Sequence, residues 1–426
     1  MPKTKRMWGL WFIVGGFLAL LASCGPTKLT ITRAHLTPKG MVASPALLPA
    51  SASLTQWESQ IRPDIEYKLQ EQVFGFLPES SSTQIVDHKI ISKSAFNGKA
   101  QAEEYTLIAT ATFTGVQSQT PPFKMVVLTP IGAKEPLPVI LLESFCPNHN
   151  TVPLDAVSKD PDGSNCGGGG LMNGLMKFVF GRYIATAPNE MIIDRGYALA
   201  AIYPSEYAPD RSSRAMPALR ALSEGHKDDT TRWGTIAAWG WGYSRMIDVL
   251  ERDARFSTGA MVAYGHSRYG KAALVAGAYD PRIDGVIAHQ SGTGGASLNK
   301  QKKGETVKDI TKGYPHWFSQ NYASYAKRED EMSVDQHGLL GLIAPRPIFL
   351  GNARRDVWSD PNGAFRAAQG ATPVYKLYKK QGLEQEKLKT FIPNANISFY
   401  IRPGTHGVVK EDWPAFLEFM DAHYKN

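Results

Sequence analysis

The chain has 426 residues, 43% hydrophobic, 20% charged and 10% aromatic, which excludes a disordered or low-complexity protein and allows a sizeable core. The formal charge of +8 is mild, and no dense Lys/Arg run with interleaved aromatics is present, so nucleic-acid binding has no support. The length allows several domains, but one large α/β unit fills it equally well.

In chain order, residues 1–23 read as an export signal: a basic start (Lys3, Lys5, Arg6), an apolar run, then small residues. The segment carries no acid, so its removal leaves a charge of +5. Leu21-Ala22-Ser23-Cys24 is similar to the bacterial lipobox. That resemblance implies cleavage before Cys24, lipidation of its thiol, and an exported lipoprotein held at a membrane, periplasmic or on the cell surface. A plain signal peptide and an uncleaved anchor are the alternatives. No later segment is apolar for long enough to span a bilayer. Residues 24–52, rich in Pro, Ala, Ser, Thr and Lys, read as a tether, and 53–426 as one catalytic domain. With Cys24 lipidated, Cys146 and Cys166 remain. Export permits a disulfide between them, free thiols fit equally, and neither has the spacing of a zinc site.

Order is expected from about Trp57, with a helix through "RPDIEYKLQEQVFGFLP". "TQIVDHKIIS", "EEYTLIATATF" and "FKMVVLTP" follow as strands, the early ones alternating as half-exposed antiparallel strands do. "LPVILLES" is continuous and apolar, as a buried strand requires. The Gly/Asn/Pro/Cys-rich stretch 146–170 is too long for a simple connection and reads as a functional loop or an insertion. Strand and helix then alternate. "GYALAAIYP" precedes a helix over "TTRWGTIAAWGWGYSRMIDVLE", for which Thr230 and Thr231 are the candidate caps. "GAMVAYG" precedes the helix "SRYGKAALVAGAYD". "IDGVIAHQ", "RPIFLGN" and "ISFYIRP" are further strands, and "PNGAFRAAQGATPVYKLY" and "EDWPAFLEFMDAHY" further helices. The expectation is a doubly wound, mostly parallel α/β sheet with helices on both faces.

Such sheets bind ligands at the carboxyl ends of their strands, and three reactive residues fall there. Ser267 follows "MVAYG" and opens a helix, whose first N–H groups and dipole suit a developing oxyanion. Its surroundings, "GHSRYG", are nearly the G-x-S-x-G elbow, but Tyr269 stands where the second glycine belongs and Gly270 comes one residue late. Asp356 follows "RPIFLGN", where a triad acid belongs. A turn or a pairing with Arg354 or Arg355 is the alternative, and Asp360 looks more like a helix cap. His406, between Gly404 and Gly407, follows "ISFYIRP". The order Ser…Asp…His, each after a strand, predicts that His406 takes the Ser267 proton, Asp356 orients the imidazole, and Ser267 carries an acyl group that water removes. No metal or other cofactor is called for.

"GHSRYGKAALVAGAYDPRIDGVIAHQSGTGGASL", "GETVKDI…YPHWFSQNYASY", "VDQHGLLGLIAPRPIFL", "DVWSDPNGAF" and "IRPGTHGVVKEDWPAFLEF" together resemble the bacterial glucuronoyl esterases, carbohydrate esterase family fifteen, over roughly 57–424. The resemblance implies an α/β-hydrolase that cleaves the ester between 4-O-methyl-glucuronate on glucuronoxylan and lignin alcohols, some members also acting on simple acetyl or uronate esters. It implies an oxyanion role for Arg268, and contacts to the sugar from Lys271, Glu305 and Trp358. His149, in the loop matching an active-site loop, either lines the pocket or fixes the loop.

Three positions depart from the family pattern. His266 stands where Cys is frequent. Gln290 stands where some members carry the triad acid, which shifts that role to Asp356. Lys312 and Gly313 stand near where a sugar-binding glutamine is expected. The leading expectation is a serine esterase acting on glucuronoyl esters as a monomer. An acetyl-xylan or other carbohydrate esterase, a prolyl-oligopeptidase-like peptidase, and an inactive lipid-anchored glycan-binding protein are the alternatives.

Overall fold

The structure is a computed structural model, and it describes residues 46–134, 136–160, 166, 177, 180–301, 303–388 and 390–425. Residues 1–45, on which the expected export signal, Cys24 and most of the expected tether fall, lie outside the described residues. Leu47 and Leu48, at the end of the expected tether, already pack half-buried on the core.

Helical turns run over 54–74, α-helical at Leu54–Gln56 and Arg62–Leu69 and π-helical at Trp57–Ile61 and Gln70–Phe74. Trp57, Ile61, Ile65, Leu69 and Val73 recur every fourth residue and pack on one core. A 3.6-residue repeat would carry that stripe round the helix, and the wider π turns take up the difference.

Strands β1 (Ser80–Ser94), β2 (Ala100–Phe113), β3 (Val116–Gln119) and β4 (Phe123–Pro130) form the antiparallel part of one sheet. β5 (Leu137–Glu143), β6 (Ala198–Ile202), β7 (Phe256–His266), β8 (Gly285–His289), β9 (Ile348–Ala353) and β10 (Ile397–Arg402) pair in parallel. The order is β1-β2-β4-β6-β5-β7-β8-β9-β10, with β3 against β2 and β4 meeting β6 antiparallel. β5, the continuous apolar run, lies between β6 and β7.

Each central strand feeds two cores by its two-residue period. Val139, Leu141, Met261, Ala263, Ile348 and Leu350 join one core, and Ile140, Leu142, Val262, Tyr264 and Phe349 the other. Each such fully buried aliphatic contributes about 1.5–3 kcal/mol. The first core is covered by α1 (Thr235–Leu250), α2 (Arg268–Tyr279) and α3 (Pro361–Leu377), the second by α4 (Asp412–Tyr424). All sixteen residues of α1 are buried.

The expected capping of α1 by Thr230 or Thr231 is corrected. Both hydroxyls donate to Asp228 instead, and α1 begins only at Thr235. Its first N–H groups, on Thr235 and Ile236, donate to the carbonyls of His316 (2.8 Å) and Trp317 (3.0 Å), so a distant segment satisfies them. Asp360 caps α3 as expected, accepting from Gly363 N at 3.0 Å. Cys146 and Cys166 are joined in a disulfide with Cα atoms 5.6 Å apart. No helix among the described residues is long and apolar enough to cross a membrane.

Candidate active site

Ser267 is the single residue between β7 and α2 and holds φ 56° and ψ −119°. A non-glycine residue pays about 1–3 kcal/mol for such a conformation, which persists only where the surroundings enforce it. The Ser267 N–H donates to the His289 carbonyl at 2.8 Å. The glycines explain the odd motif. A Cβ on Gly265 would collide with the Tyr269 backbone, and Gly270 crosses over Gly265 and the end of β8. Close approach is thus needed at Gly270, while Tyr269 is a buried core ring packed edge-on to Phe145 at 4.9 Å. Ser267 is the N-cap of α2, so the positive end of the helix and its first N–H groups open at the serine.

Asp356, in the loop after β9, accepts a hydrogen bond from His406 Nδ1 at 2.6 Å. Burial alone would raise its carboxyl, but the His406 charge and hydrogen bond, with help from Ser359, outweigh it and hold the group below the usual carboxylate range. It therefore faces His406 as a carboxylate. Gln290, at the end of β8, does not address the imidazole. Its Oε1 accepts from Gly407 N at 2.8 Å and its Nε2 reaches Thr405 O at 3.5 Å, so its amide clasps the backbone on both sides of His406. Arg402 completes this support by donating to the carbonyls of Thr405 and Gly407.

Arg268 forms an ion pair with Asp210, and its guanidinium lies 4.8 Å from the Trp317 ring, 5.3 Å from Phe145 and 5.9 Å from Tyr314. Asp210 also accepts from Trp317 Nε1 at 2.8 Å and from His316 Nε2 at 3.1 Å. Burial, and then the Arg268 charge, push His316 down to about 4, so it is a neutral donor here. Lys271 is buried one turn into α2. Its ammonium donates to the Ser291 carbonyl and lies 5.9 Å from the Trp317 ring. Glu305 and Trp358 are brought together: Trp358 Nε1 donates to Glu305 Oε1 at 3.0 Å, with Trp358 55% exposed.

A cleft of about 620 Å³ opens beside Arg268, lined among others by Phe145, Tyr203, Glu206, Asp210 and Arg211, and not by Lys271, Glu305 or Trp358. Burial raises the Glu206 carboxyl to about 7, against a hydrogen bond from Lys124 N. Among the described residues His149 Nδ1 has no hydrogen-bond partner, and the loop is fixed by bonds of Ser144, Asn148 and Thr151 and by donation from Thr186 and Asn189 to its carbonyls. Lys312 is exposed in the last turn of the short helix Val307–Gly313. Among the described residues, no three His, Cys, Asp or Glu stand close enough to hold a metal ion.

The residues that sequence reasoning missed are Asp210, His316, Trp317, Phe145 and the bonding of Gln290. Asp210 has no local signature, and its partner Arg268 lies far along the chain.

Ser267, Asp356 and His406 follow β7, β9 and β10 of a mostly parallel sheet with helices on both faces, which defines the α/β-hydrolase class. Residues 184–378 match the family described as glucuronyl esterase, fungi. Over 401 residues the chain is 32% identical to a carbohydrate esterase of an unknown prokaryotic organism, covering 91% of this chain and 90% of that protein. It is 31% identical to a 4-O-methyl-glucuronoyl methylesterase of Phanerochaete carnosa over 215 residues, which is 45% of this chain and 53% of that one. Among solved structures, a promiscuous family-fifteen carbohydrate esterase from a marine bacterial metagenome matches with TM-score 0.76 at 29% identity, over 90% of this chain and 97% of the other. A glucuronoyl esterase of Solibacter usitatus matches with TM-score 0.74 at 29% identity, over 90% and 98%. The chain belongs to the glucuronoyl esterases, carbohydrate esterase family fifteen, and is a carboxylic ester hydrolase.

Proposed function

We propose that the protein is a serine esterase that cleaves the ester between (4-O-methyl-)glucuronate on glucuronoxylan and an alcohol of lignin. The observation that carries this reading is the 2.6 Å bond between His406 Nδ1 and a buried Asp356, in a chain whose strained Ser267 follows β7 and precedes Arg268. His406 takes the Ser267 proton as the hydroxyl attacks the uronate carbonyl. Asp356 stabilises the imidazolium that forms. Negative charge on the tetrahedral oxygen meets the first N–H groups of α2 and the Arg268 guanidinium. Collapse expels the alcohol, protonated by His406, and water then removes the glucuronoyl group from Ser267.

In this reading the sugar lies toward Lys271, Glu305 and Trp358, and the alcohol toward the cleft at Arg268. A cleft of about 620 Å³ accommodates a bulky aromatic alcohol. Benzyl glucuronate and p-nitrophenyl acetate, assayed side by side, test the assignment. Activity on the uronate ester that vanishes in Ser267→Ala is expected. Fast acetate release without uronate turnover would make the enzyme a general carbohydrate esterase, a reading favoured by the description of the marine metagenome relative as promiscuous. Lys271→Ala is expected to raise KM for the uronate ester and spare the acetate, and equal effects on both would remove the sugar contact.

The protein acts outside the cytoplasm, held at a membrane through lipidated Cys24 and working as a monomer. Cys24→Ala is expected to release it into the soluble fraction, whereas unchanged membrane association would exclude the lipid anchor.

A further inference from the structure

His266, directly before Ser267, is part of a buried polar chain that the chemistry above does not use. Its ring is 2% exposed and its Nδ1 lies 3.0 Å from Nδ1 of His289, which is fully buried. His289 Nε2 lies 3.5 Å from Oδ1 of Asp412, itself fully buried in the first turn of α4. Asp412 accepts from Arg402 Nε and from Val409 N, both at 2.7 Å. Arg402 in turn holds the carbonyls of Pro403, Thr405 and Gly407 around His406. The chain closes on itself, because the His266 ring faces the His406 ring with centroids 4.7 Å apart at 43°.

We propose that His266 is a positioning residue: a ring fixed by its own buried chain, which backs the His406 imidazole and holds it in register with Asp356. The inference rests on the reading of Ser267 and His406 as nucleophile and base.

The proton count supports it. Two Nδ1 atoms at 3.0 Å share one proton, so one donates and the other accepts. The Asp412 charge, 3.5 Å away though not in hydrogen-bond geometry, favours a proton on His289 Nε2, which leaves His289 Nδ1 as acceptor and His266 Nδ1–H as donor. Both rings are then neutral. A second proton would set two N–H groups against each other. It would also place a cation against His406, which must itself become cationic during turnover. The surroundings oppose that proton: burial first, then the charges of His406, His289, Arg402 and Lys271, drive His266 well below the ordinary histidine range. Burial also lowers His289, against the pull of Asp412. A neutral ring of fixed orientation is therefore what His406 rests on. Because His266 is the last residue of β7, the same ring also fixes the entry of the chain into the Ser267 turn.

The test uses the intact enzyme on benzyl glucuronate, with His266→Ala and His266→Phe compared for kcat, KM and thermal unfolding. The downfield proton resonance of the His406–Asp356 bond is followed in parallel. His266→Ala is expected to lower kcat about a hundredfold with KM unchanged, the cost of a displacement of about 1 Å in a catalytic group. It is also expected to broaden or shift the downfield resonance. His266→Phe, which restores a ring without the Nδ1 bond, is expected to recover most of that kcat. If His266→Ala does not fold, His289→Phe cuts the same chain one link away and is expected to change kcat and the resonance in the same direction. Wild-type kcat and resonance in His266→Ala, or in His289→Phe where that variant stands in for it, overturn the inference, as does a His266→Phe no better than His266→Ala. Activity that survives Ser267→Ala overturns the serine reading itself. Loss in Ser267→Ala with no response at His266 overturns only the positioning role.

Discussion

Two carboxylates, Asp356 against His406 and Asp210 against Arg268, are held in opposite ways. On the base side, Asp356 makes one short bond to His406, and the loop carrying the imidazole is pinned by Gln290 and Arg402 through backbone groups. On the other side, Asp210 pairs with the Arg268 guanidinium, and aromatic rings supply the remaining walls. In the proposed mechanism, directional bonds fix a ring whose proton must move along one line, whereas rings and an ion pair suffice for a charge that only has to be near. The second arrangement would also have a cost, since Asp210 offsets part of the positive field that Arg268 would present to an oxyanion.

The largest expected effect is on the base side. Asp356→Asn should lower kcat about 10⁴-fold, because the amide favours the wrong imidazole tautomer, and a steady-state assay reads this directly. Near-wild-type activity would mean that the acid lies elsewhere. Asp210→Asn should keep the acceptor for His316 and Trp317 but lose the ion pair. A fall in kcat of about tenfold is expected from the freer guanidinium, and a rise would mean that field compensation outweighs anchoring. Gln290→Ala should leave the Asp356–His406 bond in place and loosen its loop, costing about 1 kcal/mol of stability in urea unfolding and a severalfold loss of kcat.

The last effect concerns the cleft and is read in stability rather than in turnover. Glu206 has its folded value raised to about 7, so between the ordinary carboxyl range and pH 7 the unfolded chain ionises while the native group keeps its proton. Stability tied to this group is therefore full in acid and lost as pH rises through 7. Glu206→Gln should remove that loss. Its stability relative to wild type should improve by on the order of 2 kcal/mol between pH 5 and pH 8, and an equal difference at both would mean that the carboxyl is solvated.

The sheet was legible because its strands carry their burial in their composition. "LPVILLE" is apolar throughout and is central, whereas β1 has a largely exposed middle and lies at the edge. The strand-end positions of Ser267, Asp356 and His406 were legible in the sequence, and the fold brings Asp356 and His406 into a hydrogen bond. What escaped was held by partners distant in sequence. The start of α1 finds its acceptors on His316 and Trp317, so no side-chain cap was needed and the two threonines misled. Asp210 and Gln290 act through bonds to residues 58 and 117 positions away, a juxtaposition that only the fold creates. Helical phase over 54–74 depended on π turns, which no residue type announces.

The splice between the start of α1 and the backbone of His316 and Trp317 couples two properties that are usually tuned apart. α1 is a core element, while Trp317 bears on Arg268 and Lys271. A change that shifts the first turn of α1 by a few tenths of an ångström is expected to carry the Trp317 backbone with it, although that turn is itself buried in the core. Selection for a thermally hardier variant that repacks α1 would then change ester preference as a by-product, and a library screened for new alcohols would gather substitutions deep in the core.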